Sequence, residues 1–158
     1  MTLLSCSLHD SYFILQRHQI YFSRMNTTLL KVFVYGTLKP GESYYQKYGL
    51  DRLSQAEKAT AIGSLYHLPR YHYPAMGKGY NTVWGYVLQI SHPRVLNELD
   101  YLEGYIKGII PTGNSYNRTR IQTFRPSGQP LTIAWVYQMQ LEQIKSLGGI
   151  PIPSGDWQ

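Results

Sequence analysis

Short runs of β-branched and aromatic residues, each bounded by glycine, proline or polar residues, set the main constraint on how this chain folds. Such runs are typical of strands, and the bounding residues are typical of turns. The last two runs flank a turn segment at 126–130 and predict a hairpin, whereas the Tyr-, Pro- and Gly-rich segment 69–81 predicts a loop. The predicted strands are 31–35, 59–68, 83–90, 116–125 and 131–139.

Helical periodicity is confined to a small part of the sequence. A short helix is predicted within 43–50, and a longer one follows Ser91, which we expect to be its N-cap, with Pro93 in the first turn and Gly104 at its end. Strands outnumber helices, so the sequence predicts an α+β fold, a curved or barrel-like sheet with one or two helices against it. The apolar face of the longer helix consists of Val95, Leu96, Leu99 and Leu102.

The first 24 residues do not share these patterns. They precede a second methionine, Met25, and their apolar run comes before their basic residues, the reverse of a secretory signal. We expect residues 1–24 to be a loosely ordered extension and residues 25–158 to form one domain, which suits a chain of 158 residues. A weak organelle-targeting role for the extension remains an alternative.

Composition excludes several classes of function. The chain carries a net charge of +6, but no run of five like charges, so we expect no nucleic-acid partner. Its apolar stretches are far shorter than the ~20 residues of a membrane span, so we expect no membrane association. The single cysteine, Cys6, cannot form an internal disulfide and favours a reducing, cytoplasmic compartment. His67 and His72 lack a third ligand at suitable spacing, so no metal site is predicted.

One carboxylate near the end of the longer helix is predicted to face the core. At about 100° per residue, Glu103 lies roughly 50° from the centre of the apolar stripe, whereas Glu98 and Asp100 lie roughly 90° and 110° away. Burial and the negative end of the helix dipole would both raise the pKa of Glu103 towards the range of a general base. The alternative is that the helix ends one residue early and Glu103 is solvated.

The turn after the first strand is the second candidate. A buried strand that ends at Gly36 can bring the bare N–H groups of residues 35–38 close to a ligand. Such groups suit a carboxylate or a developing oxyanion. The alternative is an ordinary strand-to-loop turn.

Several of these segments together resemble one known family, in order and spacing. The segment Val-Phe-Val-Tyr-Gly-Thr-Leu-Lys-Pro-Gly is similar to the opening motif of the γ-glutamylcyclotransferase-like superfamily, in its AIG2-like and γ-glutamylamine branch. The resemblance covers about residues 31–139 and leaves the first 24 residues outside. The matching segments are 32–41, 73–76 (Tyr-Pro-Ala-Met), 83–86 (Val-Trp-Gly-Tyr), 99–105 (Leu-Asp-Tyr-Leu-Glu-Gly-Tyr), 116–118 (Tyr-Asn-Arg) and 134–137 (Ala-Trp-Val-Tyr).

The resemblance implies a small mixed β-barrel with flanking helices and an enzyme that releases 5-oxoproline from a small γ-glutamyl amine or amino acid, without metal or cofactor. It implies that Glu103 is the general acid and base. It also implies that the loop of Tyr35, Gly36, Thr37 and Leu38 holds the substrate through its backbone, and that Tyr116 lines the pocket.

Two departures from the family pattern bear on these implications. The stretch 105–115, which lies between Glu103 and Tyr116, is longer than the family pattern. Thr37 stands where the branches that act on glutathione usually have serine, so glutathione is a less favoured substrate. A non-catalytic binding domain of the same fold is the alternative function, and the oligomeric state stays open.

Overall fold

The computed structural model describes residues 29–158. Its strands form one six-stranded sheet in the order β3-β1-β5-β4-β2-β6, and an additional pairing between β3 and β2 closes the sheet into a ring. This arrangement confirms the predicted α+β barrel with flanking helices. The predicted extension, residues 1–24, lies outside the described residues. The strands are β1 (Leu30–Val34), β2 (Ser54–Leu68), β3 (Tyr73–Ile90), β4 (Asn117–Phe124), β5 (Pro130–Gln138) and β6 (Ile150–Pro151).

The helices differ from the predicted ones at their ends. The helix predicted at 43–50 is interrupted at Gly49, whose φ of 66° is left-handed. The predicted N-cap at Ser91 is wrong, because Pro93 occupies that position and makes no side-chain cap hydrogen bond. Ser91 precedes Pro93 by two residues and therefore lies too early to cap the helix. The helices are α1 (Ser43–Lys47), α2 (Leu50–Leu53), α3 (Arg94–Leu102) and α4 (Leu141–Ser146), with a short 3-10 turn at Pro111–Gly113.

The loop predicted at 69–81 is wrong over most of its length, because β3 begins at Tyr73. The segment pairs with β2 across a register shift: Gly63 lies opposite Asn81, and Ser64 lies opposite Gly77. This irregularity accommodates the intervening residues as a bulge without ending the ladder. Pairing with a neighbouring strand therefore overrides a composition that is typical of loops. The hairpin of β4 and β5 is confirmed.

The two faces of β1 pack into different clusters. Val32 and Val34 join a cluster that also contains side chains of α3, whereas Phe33 and Tyr35 join a second cluster built from strand residues of β2, β3 and β5. Alternation along the strand places these pairs on opposite faces. The end of β1 is therefore held from both sides, which holds in place the turn that follows it.

Candidate functional site

The turn after β1 presents unpaired backbone donors. The Lys39 N–H donates to the Gly36 carbonyl at 2.9 Å and closes the turn, and the Tyr44 N–H donates to the Thr37 carbonyl at 3.1 Å. Among residues 29–158, the N–H groups of Gly36, Thr37 and Leu38 have no hydrogen-bond partner. Three successive free donors on a closed turn suit an acceptor ligand such as a carboxylate.

A Schellman motif at the end of α3 positions Glu103. The Tyr105 N–H donates to the Asp100 carbonyl at 2.8 Å and the Gly104 N–H donates to the Tyr101 carbonyl at 3.2 Å. Gly104 has a φ of 62°, the left-handed conformation that this motif requires. Glu103 is the C-cap residue and still donates its N–H to the Leu99 carbonyl at 2.9 Å, so it keeps the helical phase. The helix thus ends at Leu102, one residue before Glu103, without turning the side chain to solvent.

Two backbone hydrogen bonds attach the end of α3 to the start of β4. The Tyr116 N–H donates to the Glu103 carbonyl at 3.2 Å, and the Ser115 N–H donates to the Gly104 carbonyl at the same distance. Residues 103–104 and 115–116 therefore run side by side, although the segment 105–114 separates them in sequence. This contact brings the predicted general base and the predicted pocket tyrosine together.

All six predicted site residues line one cavity of about 270 Å³. Glu103 is the sole acidic residue that lines this cavity, and no Lys, Arg or His lines it within residues 29–158. The structure thus brings the predicted residues together, while their individual roles stay predictions. They are Tyr35, Gly36, Thr37, Leu38, Glu103 and Tyr116.

Burial controls the ionisation of the groups around this cavity. Desolvation raises the pKa of Glu103 from its ordinary 4.5 to about 7. Burial also raises the pKa values of Tyr35, Tyr116 and Tyr137 well above the ordinary 10, and the charge of Glu103 adds to each of these shifts. The tyrosines therefore stay protonated near neutral pH, and Glu103 is the group around the cavity that exchanges a proton there.

Sequence reasoning missed a polar network on the flank of α3. Asp100 accepts hydrogen bonds from Arg118 Nη1 at 2.8 Å and from the Tyr137 hydroxyl at 2.7 Å, and its side chain is only 18% exposed. The helical angle placed Asp100 off the apolar stripe, but β4 and β5 cover that flank. The alternation of β4 offered a signal, because Arg118 lies two residues after Tyr116 and hence on the same face. Glu98 is exposed, as the angle predicted.

The described part of the chain holds no group of three His, Cys, Asp or Glu side chains placed to bind a metal ion. His67 lies on β2 and stacks on Trp157, with ring centroids 5.2 Å apart. Within residues 29–158, no helix is both long enough and apolar enough to cross a bilayer.

Comparison with known proteins shows the family of this chain. The sequence model of the family "Gamma-glutamyl cyclotransferase, AIG2-like" matches residues 32–158. A Vibrio cholerae protein named "Putative gamma-glutamylcyclotransferase" is 33% identical over 127 residues, which are 80% of this chain and 93% of that protein. The chain therefore belongs to the gamma-glutamyl cyclotransferase, AIG2-like family.

Solved structures show the same fold. The AIG2-like protein from Mus musculus superposes with a TM-score of 0.58 at 19% identity, covering 82% of this chain and 88% of that chain. The protein ytfP from Escherichia coli superposes with a TM-score of 0.52 at 33% identity, covering 81% of this chain and 96% of that chain.

Proposed function

We propose that this protein is a γ-glutamylcyclotransferase that releases 5-oxoproline from a small γ-glutamyl amine or amino acid, with Glu103 as its general base and acid. The observation that carries the proposal is the position of Glu103, a carboxylate with a pKa of about 7 on the same cavity as three unpaired backbone N–H groups. A base with a pKa near neutrality is half ionised at the working pH and is strong enough to take a proton.

The first step activates the amine of the substrate. An α-ammonium group cannot attack, because its nitrogen has no lone pair, so Glu103 takes one of its protons. The free amine then attacks the γ-carbonyl carbon of the same molecule, which forms the C–N bond of a five-membered ring and places negative charge on the carbonyl oxygen. The N–H groups of Gly36, Thr37 and Leu38 stabilise acceptors of this kind, whether the α-carboxylate or the developing oxyanion.

The second step expels the leaving amine. The tetrahedral intermediate breaks its bond to the leaving nitrogen, which receives from Glu103 the proton taken in the first step. The ring nitrogen still carries two protons after the attack, and it gives one of them to the Glu103 carboxylate, so that the ring remains as 5-oxoproline. The departed amine takes up this second proton, and Glu103 ends ionised, as it began. Holding the chain folded inside the cavity supplies effective molarity for ring closure.

The absence of a basic lining residue favours one kind of leaving group. A second carboxylate on the leaving half would meet no cation on the cavity within residues 29–158, while Tyr44, Tyr73 and Tyr101 offer aromatic surface there. We therefore expect amines without a nearby carboxylate to be preferred over amino acids. The alternative, a binding domain without catalysis, is less favoured because the Glu103 side chain lines the cavity rather than facing solvent.

A panel of γ-glutamyl derivatives of alkylamines and amino acids, assayed for 5-oxoproline release, tests the proposal. Glu103→Gln keeps the size and a carbonyl acceptor but cannot take the proton, so its rate should fall by about 10²–10⁴-fold. Glu98→Gln, on the exposed flank of the same helix, is the matched control and should retain the wild-type rate. A fully active Glu103→Gln with an inactive Glu98→Gln would refute both the helical phase and the mechanism.

A further inference from the structure

Three of the six tyrosines that line the cavity donate their hydroxyl proton to the protein. Tyr35 donates to the Tyr137 carbonyl at 2.7 Å, and Tyr116 donates to the Pro74 carbonyl at 2.8 Å. Tyr137 donates to Asp100 Oδ1 at 2.7 Å. Carbonyl and carboxylate oxygens carry no proton, so in each pair the hydroxyl must be the donor. What these hydroxyls can still offer to a ligand is a lone pair.

The hydroxyl oxygens differ in whether that lone pair is free. The Tyr35 oxygen already accepts the Met76 N–H at 3.2 Å. Among residues 29–158, no donor reaches the hydroxyl oxygen of Tyr116 or Tyr137. Tyr137 is the one whose proton is held by a charged acceptor, and charge-assisted hydrogen bonds are about twice as strong as neutral ones.

Asp100 is itself held in place. Arg118 Nη1 contacts Asp100 Oδ2 at 2.8 Å, and its side chain is only 13% exposed. The guanidinium lies over the rings of Tyr105 and Trp135, at 5.2 and 4.8 Å from their centroids. One carboxylate oxygen therefore serves Arg118 and the other serves Tyr137, so the direction of the Tyr137 hydrogen bond is determined by the network.

We propose that Asp100, acting through Tyr137, is a positioning residue that makes the Tyr137 hydroxyl an obligatory acceptor for the α-ammonium group of the substrate. This inference rests on the proposed function and deepens it: the cavity has a donor side at Gly36, Thr37 and Leu38 and an acceptor side at Glu103 and Tyr137. Such a site recognises a zwitterionic α-amino acid head and disfavours ligands without the ammonium.

The test compares two ligands that differ in that group. The first is γ-glutamylbutylamine, and the second is glutaryl butylamide, in which hydrogen replaces the α-ammonium. Binding is measured by calorimetry in the Glu103→Gln background, so that neither ligand is consumed. The measured quantity is the preference, the ratio of the two dissociation constants, and thermal denaturation verifies that each variant is folded.

Tyr137→Phe should weaken the binding of γ-glutamylbutylamine by about tenfold or more, since hydrogen bonds to charged groups contribute about 1.5–3 kcal/mol. It should change the dissociation constant of glutaryl butylamide by no more than about twofold. Asp100→Asn should reduce the preference as strongly, although Tyr137 is intact. The Asn oxygen would face Arg118, so its NH₂ group would donate to Tyr137 and turn the hydroxyl proton towards the cavity. The double variant should therefore resemble Tyr137→Phe alone.

The control is Tyr80→Phe, since Tyr80 is 98% exposed, and its preference should equal that of the parent. If Tyr137→Phe weakens the binding of both ligands equally, the role of Tyr137 is merely structural. If it changes the binding of neither ligand, Tyr137 does not contact the ammonium. Either result overturns the inference. The proposed function is tested separately by 5-oxoproline release from the wild type. Release with an unchanged preference refutes only the inference, whereas no release from any panel compound refutes the function.

Discussion

Replacing Glu103 by glutamine should stabilise the protein, and the gain should depend on pH. Burial raises the pKa of this carboxyl from 4.5 to about 7, so the folded state holds the proton more tightly than the unfolded state. The raised pKa therefore contributes to the stability of the folded wild type below pH 4.5, and this contribution is lost as the pH rises to 7 and beyond. Glutamine cannot ionise and escapes this loss.

The size of the gain follows from the shift. A difference of about 2.5 pKa units corresponds to about 3 kcal/mol of unfolding free energy above pH 8, since each unit is worth about 1.4 kcal/mol. At pH 5 the folded carboxyl is almost fully protonated and the unfolded one only partly ionised, so the gain is below about 1 kcal/mol. The change across this range is therefore about 2 kcal/mol.

The assay is urea denaturation of wild type, Glu103→Gln and Glu98→Gln at pH 5 and pH 8.5. Comparing variants at each pH cancels the titration of all other groups, and equal m-values would indicate that the denatured states are comparable. Glu98→Gln should track the wild type at both values, because that side chain is exposed. A Glu103→Gln variant whose gain is the same at pH 5 and pH 8.5 would refute a buried, pKa-shifted Glu103.

The rate of 5-oxoproline release should rise about tenfold per pH unit below pH 7 and level off above it, because the proposed base is the ionised form of Glu103; a flat profile from pH 5 to 8 would exclude this titration. Gly36→Ala should lower the unfolding free energy by about 1–3 kcal/mol and reduce activity, because its Cβ would lie 2.5 Å from Pro74 Cγ; unchanged melting would contradict the close approach. Lys39→Met should cost about 1–2 kcal/mol and raise KM, because Lys39 ends the cavity turn and binds both Asp156 and the Trp157 carbonyl. Asp156→Asn is the control and should lower the unfolding free energy less, since Lys39 keeps its hydrogen bond to the Trp157 carbonyl. An equal loss of unfolding free energy in both variants would contradict this expectation.

Part of the site could be predicted from short-range patterns. The phase of the apolar stripe on α3 placed Glu103 on the inward side, and Gly104 marked the end of the helix, because both depend on residues within one or two turns. The run before Gly36 predicted β1 and its turn in the same way. The chemistry of each position came from the residue type and its family resemblance.

Other features depend on strands that are distant in sequence. The segment 73–81 has the composition of a loop, yet most of it extends β3, because β2 supplies hydrogen-bond partners on the other side of a register shift. Asp100 lies off the apolar stripe of its own helix, yet it is mostly buried, because Arg118 and Tyr137 arrive from β4 and β5. Neither outcome can be predicted from a few neighbouring residues in the sequence.

The sequence by itself determined the first strand and its turn at Gly36, the helix that ends before Gly104, and the inward direction of Glu103, because these follow from backbone geometry and residue type within a few positions. Only the tertiary structure decided that Glu103, the turn and Tyr116 share one cavity, because closure of the ring and the pairing of 103–104 with 115–116 bring them together. The raised pKa of Glu103 was also decided by the tertiary structure. It arises from desolvation by neighbours that the folded barrel supplies.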